Sequence, residues 1–228
     1  MKITAILPIK HNSTRVPGKN FRDMNGNPLF YYIIKTLLNV KEINNIVIDT
    51  NSPIIFEKVP ELFKNDMHRI ILYERPKHLW PGDTPTNDLL LNVINDLDLD
   101  ADYFIQTHVT NPLLKHSTIS DAINAFINNK DKYESLFSVK THHTRFYNKE
   151  GKDMNHNRYK LIPTQDLDPI YEENSCIYIF NKDLLEKYKA RIGSNALLFP
   201  MNDIESQDID WEDDFIITEA LMKLFYNQ

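Results

Sequence analysis

Ile3-Thr4-Ala5-Ile6-Leu7-Pro8-Ile9, followed by Lys10-His11-Asn12-Ser13-Thr14-Arg15-Val16-Pro17-Gly18-Lys19-Asn20, decides the fold class. The first seven residues are a short apolar run of the kind a buried strand presents. The polar loop continues to Asn27. Beyond it Phe30, Ile33, Ile34, Leu37 and Leu38 fall at i, i+3, i+4, i+7 and i+8, one face of a helix. Strand, charged loop and amphipathic helix in that order open a strand–helix–strand unit.

The same rhythm runs through the chain. Ile46–Asp49 reads as a second strand, and Ser52-Pro53 as an N-cap and first helical residue. Ile70–Tyr73 is a third strand. Thr84-Pro85 then caps a helix that turns Leu90, Val93, Ile94 and Leu97 inward. Tyr103–Gln106 is a fourth strand, and Ser117 caps a helix burying Ile119, Ala122, Ile123, Phe126 and Ile127. Ser135–Val139 is a fifth, and Cys176–Phe180 resumes the sheet after a polar stretch, Lys140–Glu173. The last helix starts near Asp213 with Ile217, Ala220, Leu221, Leu224 and Phe225 inward. This alternation predicts one α/β domain over residues 1–228, a three-layer α/β/α arrangement around a mainly parallel sheet. Ligands of such sheets sit beyond the carboxyl ends of the strands. The segments there are Lys10–Asn20, Glu74–Thr86, Gln106–Pro112 and the stretch before the last helix.

Bulk properties narrow the function. A net charge of −6 leaves no basic excess to neutralise a nucleic-acid backbone. No stretch approaches the length of a membrane span, and the apolar start is too short for a signal peptide, so the cytoplasm is the expected compartment. The single cysteine, Cys176, lies in an apolar run and reads as a buried strand residue. Only 5 glycines occur, and two of them, Gly18 and Gly26, flank the opening loop.

That loop carries Lys10, Arg15 and Lys19 beside small hydroxyls. Three cations in ten residues can wrap a triphosphate, or they form a solvated connection. The glycine spacings of a Walker A loop and of a dinucleotide fingerprint are both absent. Asp208-Ile209-Asp210 is the metal candidate, because i and i+2 in an extended segment project to one side. Two hard carboxylates plus substrate phosphate oxygens suit Mg²⁺. Asp98 and Asp100 repeat the same spacing, so the triplet alone is a weak signal. His108, at the end of the fourth strand, reads as a substrate ligand, a general base or a plain hydrogen-bonding residue.

The run Ser13, Arg15, Pro17, Lys19, Asn20 and then Asn25-Gly26-Asn27-Pro28-Leu29 resembles, in register, the signature of the acylneuraminate cytidylyltransferases (CMP–sialic acid synthetases) and the related 3-deoxy-manno-octulosonate cytidylyltransferases. Lys10 departs from the family's arginine, keeping the charge but losing the bidentate fork. Arg75-Pro76 with Gly82-Asp83-Thr84, Gln106 through Leu113, Gln165 within the polar stretch and Asn174 just after it, and Asp208-Ile209-Asp210 are similar to further family segments. The resemblance implies the Rossmann-like fold of nucleotide-diphospho-sugar transferases, with Lys10, Arg15 and Lys19 acting on the triphosphate. It implies nucleotide contacts from Lys10, Asn12, Ser13, Arg15, Lys19, Asn20, Arg75, Asp83 and Thr84. Substrate contacts would come from Gln106, His108, Thr110, Asn111, Gln165, Asn174 and Tyr178, and Mg²⁺ ligands from Asp208 and Asp210. The implied reaction joins CMP from CTP to a 2-keto-3-deoxy acid sugar and releases pyrophosphate.

Lys140–Glu173 has the place and length of the family's dimerisation arm, which implies a homodimer. Yet Thr164 and Glu172 stand where the family has arginines, at least one of which meets the sugar's carboxylate. Either Arg145, Arg158 or Lys160 takes that role, or the substrate differs from sialic acid. Two rival functions share these features: a glycosyltransferase with an Asp-x-Asp metal site, and a sugar-nucleotide-binding paralogue whose chemistry has lapsed.

Overall fold

The computed structural model describes residues 1–225, so the last three residues of the expected domain lie outside the described residues. Among the described residues nine strands and six α-helices follow one another: β1 (Ile3–Ile9), β2 (Asp23–Met24), β3 (Asn27–Pro28), α1 (Leu29–Leu38), β4 (Asn45–Thr50), α2 (Pro53–Leu62), β5 (Ile70–Glu74), α3 (Thr86–Asp96), β6 (Tyr103–Gln106), α4 (His116–Ile127), β7 (Ser135–His142), β8 (Ile170–Phe180), α5 (Lys182–Tyr188), β9 (Ala196–Met201) and α6 (Glu212–Phe225). Seven of the strands form one sheet in the order β5-β4-β1-β6-β8-β7-β9. Every pairing in it is parallel except those of β8 with β6 and with β7.

Alternate residues of β1 enter opposite cores. Ile3, Ala5, Leu7 and Ile9 pack with residues of α1, α2, α4 and α6, while Ile6 packs with residues of α3 and α5. The sheet is therefore the middle of three layers, and both its faces are buried, as the near-continuous apolar runs predict. The strand order reverses between β1 and β6: the chain builds outward from β1 to β4 and β5, then returns to the other side of β1. At such a switch point the connecting segments diverge and leave a crevice at the carboxyl ends.

Several expectations need correcting. Helix α3 starts at Thr86 with Pro85 at its N-cap, and α4 starts at His116 with Lys115 there; neither Thr84 nor Ser117 caps. The polar stretch is partly sheet, because β7 and β8 stay paired out to His142 opposite Ile170. Helix α6 buries Phe215, Thr218 and Met222, while of the expected residues Ile217, Ala220, Leu224 and Phe225 are exposed and Leu221 is half-buried. Its amino end is fixed by Arg22, which makes a bidentate pair with Glu212 at 2.6 and 2.8 Å and covers the Phe215 ring at 4.0 Å. With apolar residues on several sides of the helix, these contacts choose its rotation. α5 and β9 carry no periodic signal long enough to have been expected. Cys176 is fully buried, and burial pushes its thiol up.

Candidate active site

At the switch point the loop after β1, the segment after β5, the end of β6 and the segment before α6 enclose a cavity of about 600 Å³. Gly18 makes the first of these possible. Its φ of 66° is the left-handed conformation in which L side chains are strained, and it reverses the loop so that Lys19 turns inward. Lys19 is 6% exposed and donates to the carbonyl of Ile209. Asn20 is buried beside it and ties the loop shut by donating to the Lys10 carbonyl at 2.9 Å.

Asp208-Ile209-Asp210 lies outside any helix or strand, and both of its carboxylates line the cavity. Ile209 is fully buried in the core, which turns the two flanking carboxylates to the cavity. The segment is pinned from β6's end: the Ile209 amide donates to the Thr110 carbonyl at 3.0 Å, and the Thr110 hydroxyl donates to Asp208. Asn111 adds donations of 3.3 Å to the Gln207 carbonyl and 3.4 Å to Asp208. Burial, reinforced by Asp210, pushes the Asp208 carboxyl up, against the pull of the Thr110 hydroxyl and Lys19. For Lys19 burial is the largest influence and pushes the ammonium down, while Asp208 and Asp210 hold it up. Arg15 reaches Asp210 at 2.6 Å across the cavity mouth. Acidic and basic groups thus face one another over a space that would hold a polyphosphate and its cation. The second Asp-x-Asp triplet is at the other end of the sheet, where Asp100 pairs with Lys2 at the foot of β1.

Lys10, Ser13, Arg15, Lys19, Asn20, Arg75, Thr84, His108, Thr110, Asp208 and Asp210 are all brought to the cavity wall. Asn12, Asp83 and Gln165 are exposed and do not line it. Gln106, Asn111 and Tyr178 stand behind the wall and hold residues that do. Asn174 lines an adjoining groove of about 480 Å³ that shares Ser175, Asp208 and Asp210 with the cavity. Arg75 lines the cavity, but its Nε and Nη2 are committed to Asp49, with Nη2 2.8 Å from Oδ2. Both partners are buried, at 5% and 2% side-chain exposure, so this is an internal ion pair joining the ends of β4 and β5.

His108 is oriented by a chain of donors. Arg191 donates to Gln106 Oε1 at 2.8 Å, which leaves the Gln106 amide nitrogen to face Thr107's carbonyl and His108 Nε2, each at 2.9 Å. An amide nitrogen donates, so Nε2 accepts and Nδ1 carries the proton. Burial, with Arg191 and Lys19 adding to it, pushes His108 down to about 3. The ring is neutral near pH 7, with Nε2 held by Gln106 and Nδ1 as its donor.

Sequence reading passed over Arg191, Trp80 and Ser175, all in the wall. Lys-Ala-Arg-Ile has no motif around it, and Arg191's partner Gln106 is 85 residues away. Trp80, 43% exposed, donates its indole N–H to the Arg75 carbonyl at 2.8 Å.

The chain is 28% identical over 246 residues to the CMP-N,N'-diacetyllegionaminic acid synthase of Legionella pneumophila, covering 98% of this chain and 97% of that protein. It is 25% identical over 251 residues to an N-acylneuraminate cytidylyltransferase of Streptococcus agalactiae, over 100% of this chain but 58% of that longer relative. Among solved structures, CMP:2-keto-3-deoxy-manno-octonic acid synthetase complexed with CTP superposes with a TM-score of 0.68 at 14% identity, over 98% of this chain and 99% of the other. A 4-diphosphocytidyl-2C-methyl-D-erythritol synthase from Anaerococcus prevotii gives 0.69 at 13%, over 97% and 96%. These two likenesses speak for the fold. A cytidylyltransferase family model matches residues 4–228, nearly the whole length and every segment of the cavity wall, and the chain belongs to the cytidylyltransferase family.

Proposed function

We propose that this chain transfers CMP from CTP to the anomeric hydroxyl of a 2-keto-3-deoxy acid sugar and releases pyrophosphate. The observation that carries this reading is the facing of Lys10, Arg15 and Lys19 against Asp208 and Asp210 across one cavity. Support for the acid sugar comes from relatives named for N-acylneuraminate, N,N'-diacetyllegionaminic acid and 3-deoxy-manno-octulosonate. In the reaction the hydroxyl oxygen bonds to the α-phosphorus, the bond from that phosphorus to the bridging oxygen breaks, and the hydroxyl proton leaves to solvent. The protein lowers the barrier by placement and by balancing charge. Lys10, Arg15 and Lys19 hold the triphosphate, and Thr110 and Asn111 hold Asp208 in place. His108 offers its Nδ1 proton as a donor.

Asp208 and Asp210 fit a magnesium ion. They are hard oxygen donors on one side of a pinned segment. With two protein ligands, a bound Mg²⁺ would take its remaining donors from phosphate oxygens and water, as that ion prefers. When bound, the ion supplies charge neutralisation at the α-phosphoryl group and polarisation of the attacking hydroxyl.

We also propose a homodimer in the cytoplasm. Among the described residues no helix is long and apolar enough to cross a membrane. The segment between β7 and β8 carries Met154, Tyr159 and Leu161 at 60%, 92% and 72% exposure, a surface suited to a second copy.

The test is pyrophosphate release from each of the four nucleoside triphosphates, with a panel of nonulosonic and octulosonic acids. Release with CTP and one acid is expected, and Asp210→Ala should abolish the Mg²⁺-dependent turnover. Turnover unchanged in that variant sinks the metal assignment. Binding of CTP with no release across the panel favours the lapsed paralogue. Consumption of a nucleoside diphosphate sugar favours the glycosyltransferase.

A further inference from the structure

Resting on the reading above, we infer that Arg191, on the loop between α5 and β9, is the residue that meets the acceptor sugar's carboxylate. The side where family resemblance puts that contact is unsuited to an anion. Thr164 is exposed on a turn away from the cavity wall. Glu172 pairs with His142 at 2.6 Å and lines a groove with Glu173, Asp203 and Asp214. The one lysine there, Lys140, already meets Asp203 at 3.3 Å. The other candidate cations are spent or elsewhere: Arg145 donates to the Ile162 carbonyl at 2.7 Å, Arg158 pairs with Asp153 at 2.5 Å, and neither they nor Lys160 lines the large cavity or the groove and recess beside it.

Arg191 is different in partner and in place. Of the arginines that line the cavity, Arg15 and Arg75 each have a carboxylate within 4.0 Å, but among the described residues Arg191 has none. Its Nη1 donates to a neutral amide oxygen, Gln106 Oε1, and its guanidinium lies 3.7 Å from the centre of the Tyr178 ring. Gln106 and Tyr178 are opposite one another in the β6–β8 register, so both anchors belong to the rigid sheet. One edge and one face are thus fixed, and the other nitrogens remain for a ligand. Arg191 lines the large cavity and also a smaller recess beside it, formed with Thr86, Asn87 and Ile192. Glu173 borders that recess, but its Oε1 takes the Tyr178 hydroxyl.

Charge arrangement agrees with this placement. Arg191 and Lys19 act together on His108, so positive potential converges at the end of β6 from two directions. Lys19 comes from the loop after β1, and Arg191 lies over β6 and β8, up to two strand spacings or about 10 Å across the sheet. A planar fork on a fixed stack suits a carboxylate, which it can bind through two parallel hydrogen bonds. In a 2-keto-3-deoxy acid the carboxylate is bonded to the anomeric carbon itself. An arginine that holds it therefore also orients the attacking hydroxyl toward the phosphate side of the cavity.

The experiment is calorimetric titration of N-acetylneuraminic, N,N'-diacetyllegionaminic, pseudaminic and 3-deoxy-manno-octulosonic acids into enzyme saturated with Mg²⁺ and a non-hydrolysable CTP analogue. The best-bound acid is then compared with its neutral carboxamide on the native protein, Arg191→Ala and Arg191→Lys. The Ala variant should weaken the acid by about 10- to 100-fold, with part of the loss recovered by Lys. The carboxamide should bind the native protein and the Ala variant alike, and the CTP analogue should bind all three alike. Equal loss for acid and carboxamide, no loss for either, or weakened CTP-analogue binding overturns the assignment. If the native protein turns over an acid and Arg191→Ala still binds it normally, this inference alone falls. If the native protein neither binds nor turns over any acid, the proposed function falls with it.

Discussion

At the scale of the residue, what was legible in the sequence was whatever chemistry is local. Ser13, Arg15 and Lys19 share one loop and Asp208 and Asp210 one triplet, so spacing alone brings them together. The sequence contained a second Asp-x-Asp triplet, and only the sheet separates them: Asp100 is bound to Lys2 at the foot of β1, away from the crevice. His108 was ambiguous for a related reason. Its role depends on Gln106, Arg191 and Lys19, which no local pattern links. The structure makes it a half-buried neutral donor, and this has a consequence for stability. Its pKa falls from 6.5 to about 3 in the folded chain, so below pH 6.5 the unfolded chain takes up a proton that the native chain refuses. Its contribution is whole above that pH and is lost on acidification, by about 1.4 kcal/mol per pH unit for one proton. Urea unfolding between pH 7 and 4 should therefore show a steeper fall for the native protein than for His108→Asn. Parallel curves would mean that His108 takes up its proton in the folded state too.

At the scale of the element, β1, β4, β5, β6 and the inner half of β8 were readable because both faces of the sheet are buried there and each is an apolar run, whereas β9 at the sheet's edge and the polar outer half of β8 were not. Helix α6 was not, since its rotation is fixed by Arg22, Glu212 and Phe215 rather than by periodicity. The Arg75 segment shows the same limit. Family register makes Arg75 a nucleotide contact, but its side chain mainly clamps the ends of β4 and β5 through Asp49. Removing one partner leaves the other charged and buried, which costs about 3–5 kcal/mol, whereas removing both costs less. Arg75→Met is expected to lose about that much in denaturant unfolding, and Asp49→Asn/Arg75→Met should regain a large part of it. A loss in CTP affinity with unchanged stability would instead restore Arg75 to nucleotide binding.

For the whole molecule, a family model over residues 4–228 and a three-layer fold do not decide how many copies work together. Surface chemistry does point somewhere. Large apolar side chains stay exposed on the segment between β7 and β8, with Tyr159 at 92% and Leu161 at 72%, and on α6, with Ile216 at 58% and Leu224 at 69%. An isolated exposed leucine is ordinary, but such side chains gathered on one connecting segment and one helix are what a protein–protein contact buries. A second copy is the occupant proposed here. Sedimentation equilibrium should then give twice the chain mass of 26.9 kDa. Tyr159→Asp/Leu161→Asp should shift the protein toward the monomer, because a carboxylate facing an apolar partner loses water without gaining a counter-charge. CTP binding should survive in that monomer, since Lys10, Arg15, Lys19 and Asp208 all come from one chain. The acid sugar gives the sharper reading. If Arg191 alone meets its carboxylate, the monomer retains acid affinity. If a cation from the partner's copy of this segment shares the contact, the monomer loses it, and the loss adds to that of Arg191→Ala. A native protein that sediments at 26.9 kDa across the micromolar range removes the dimer altogether.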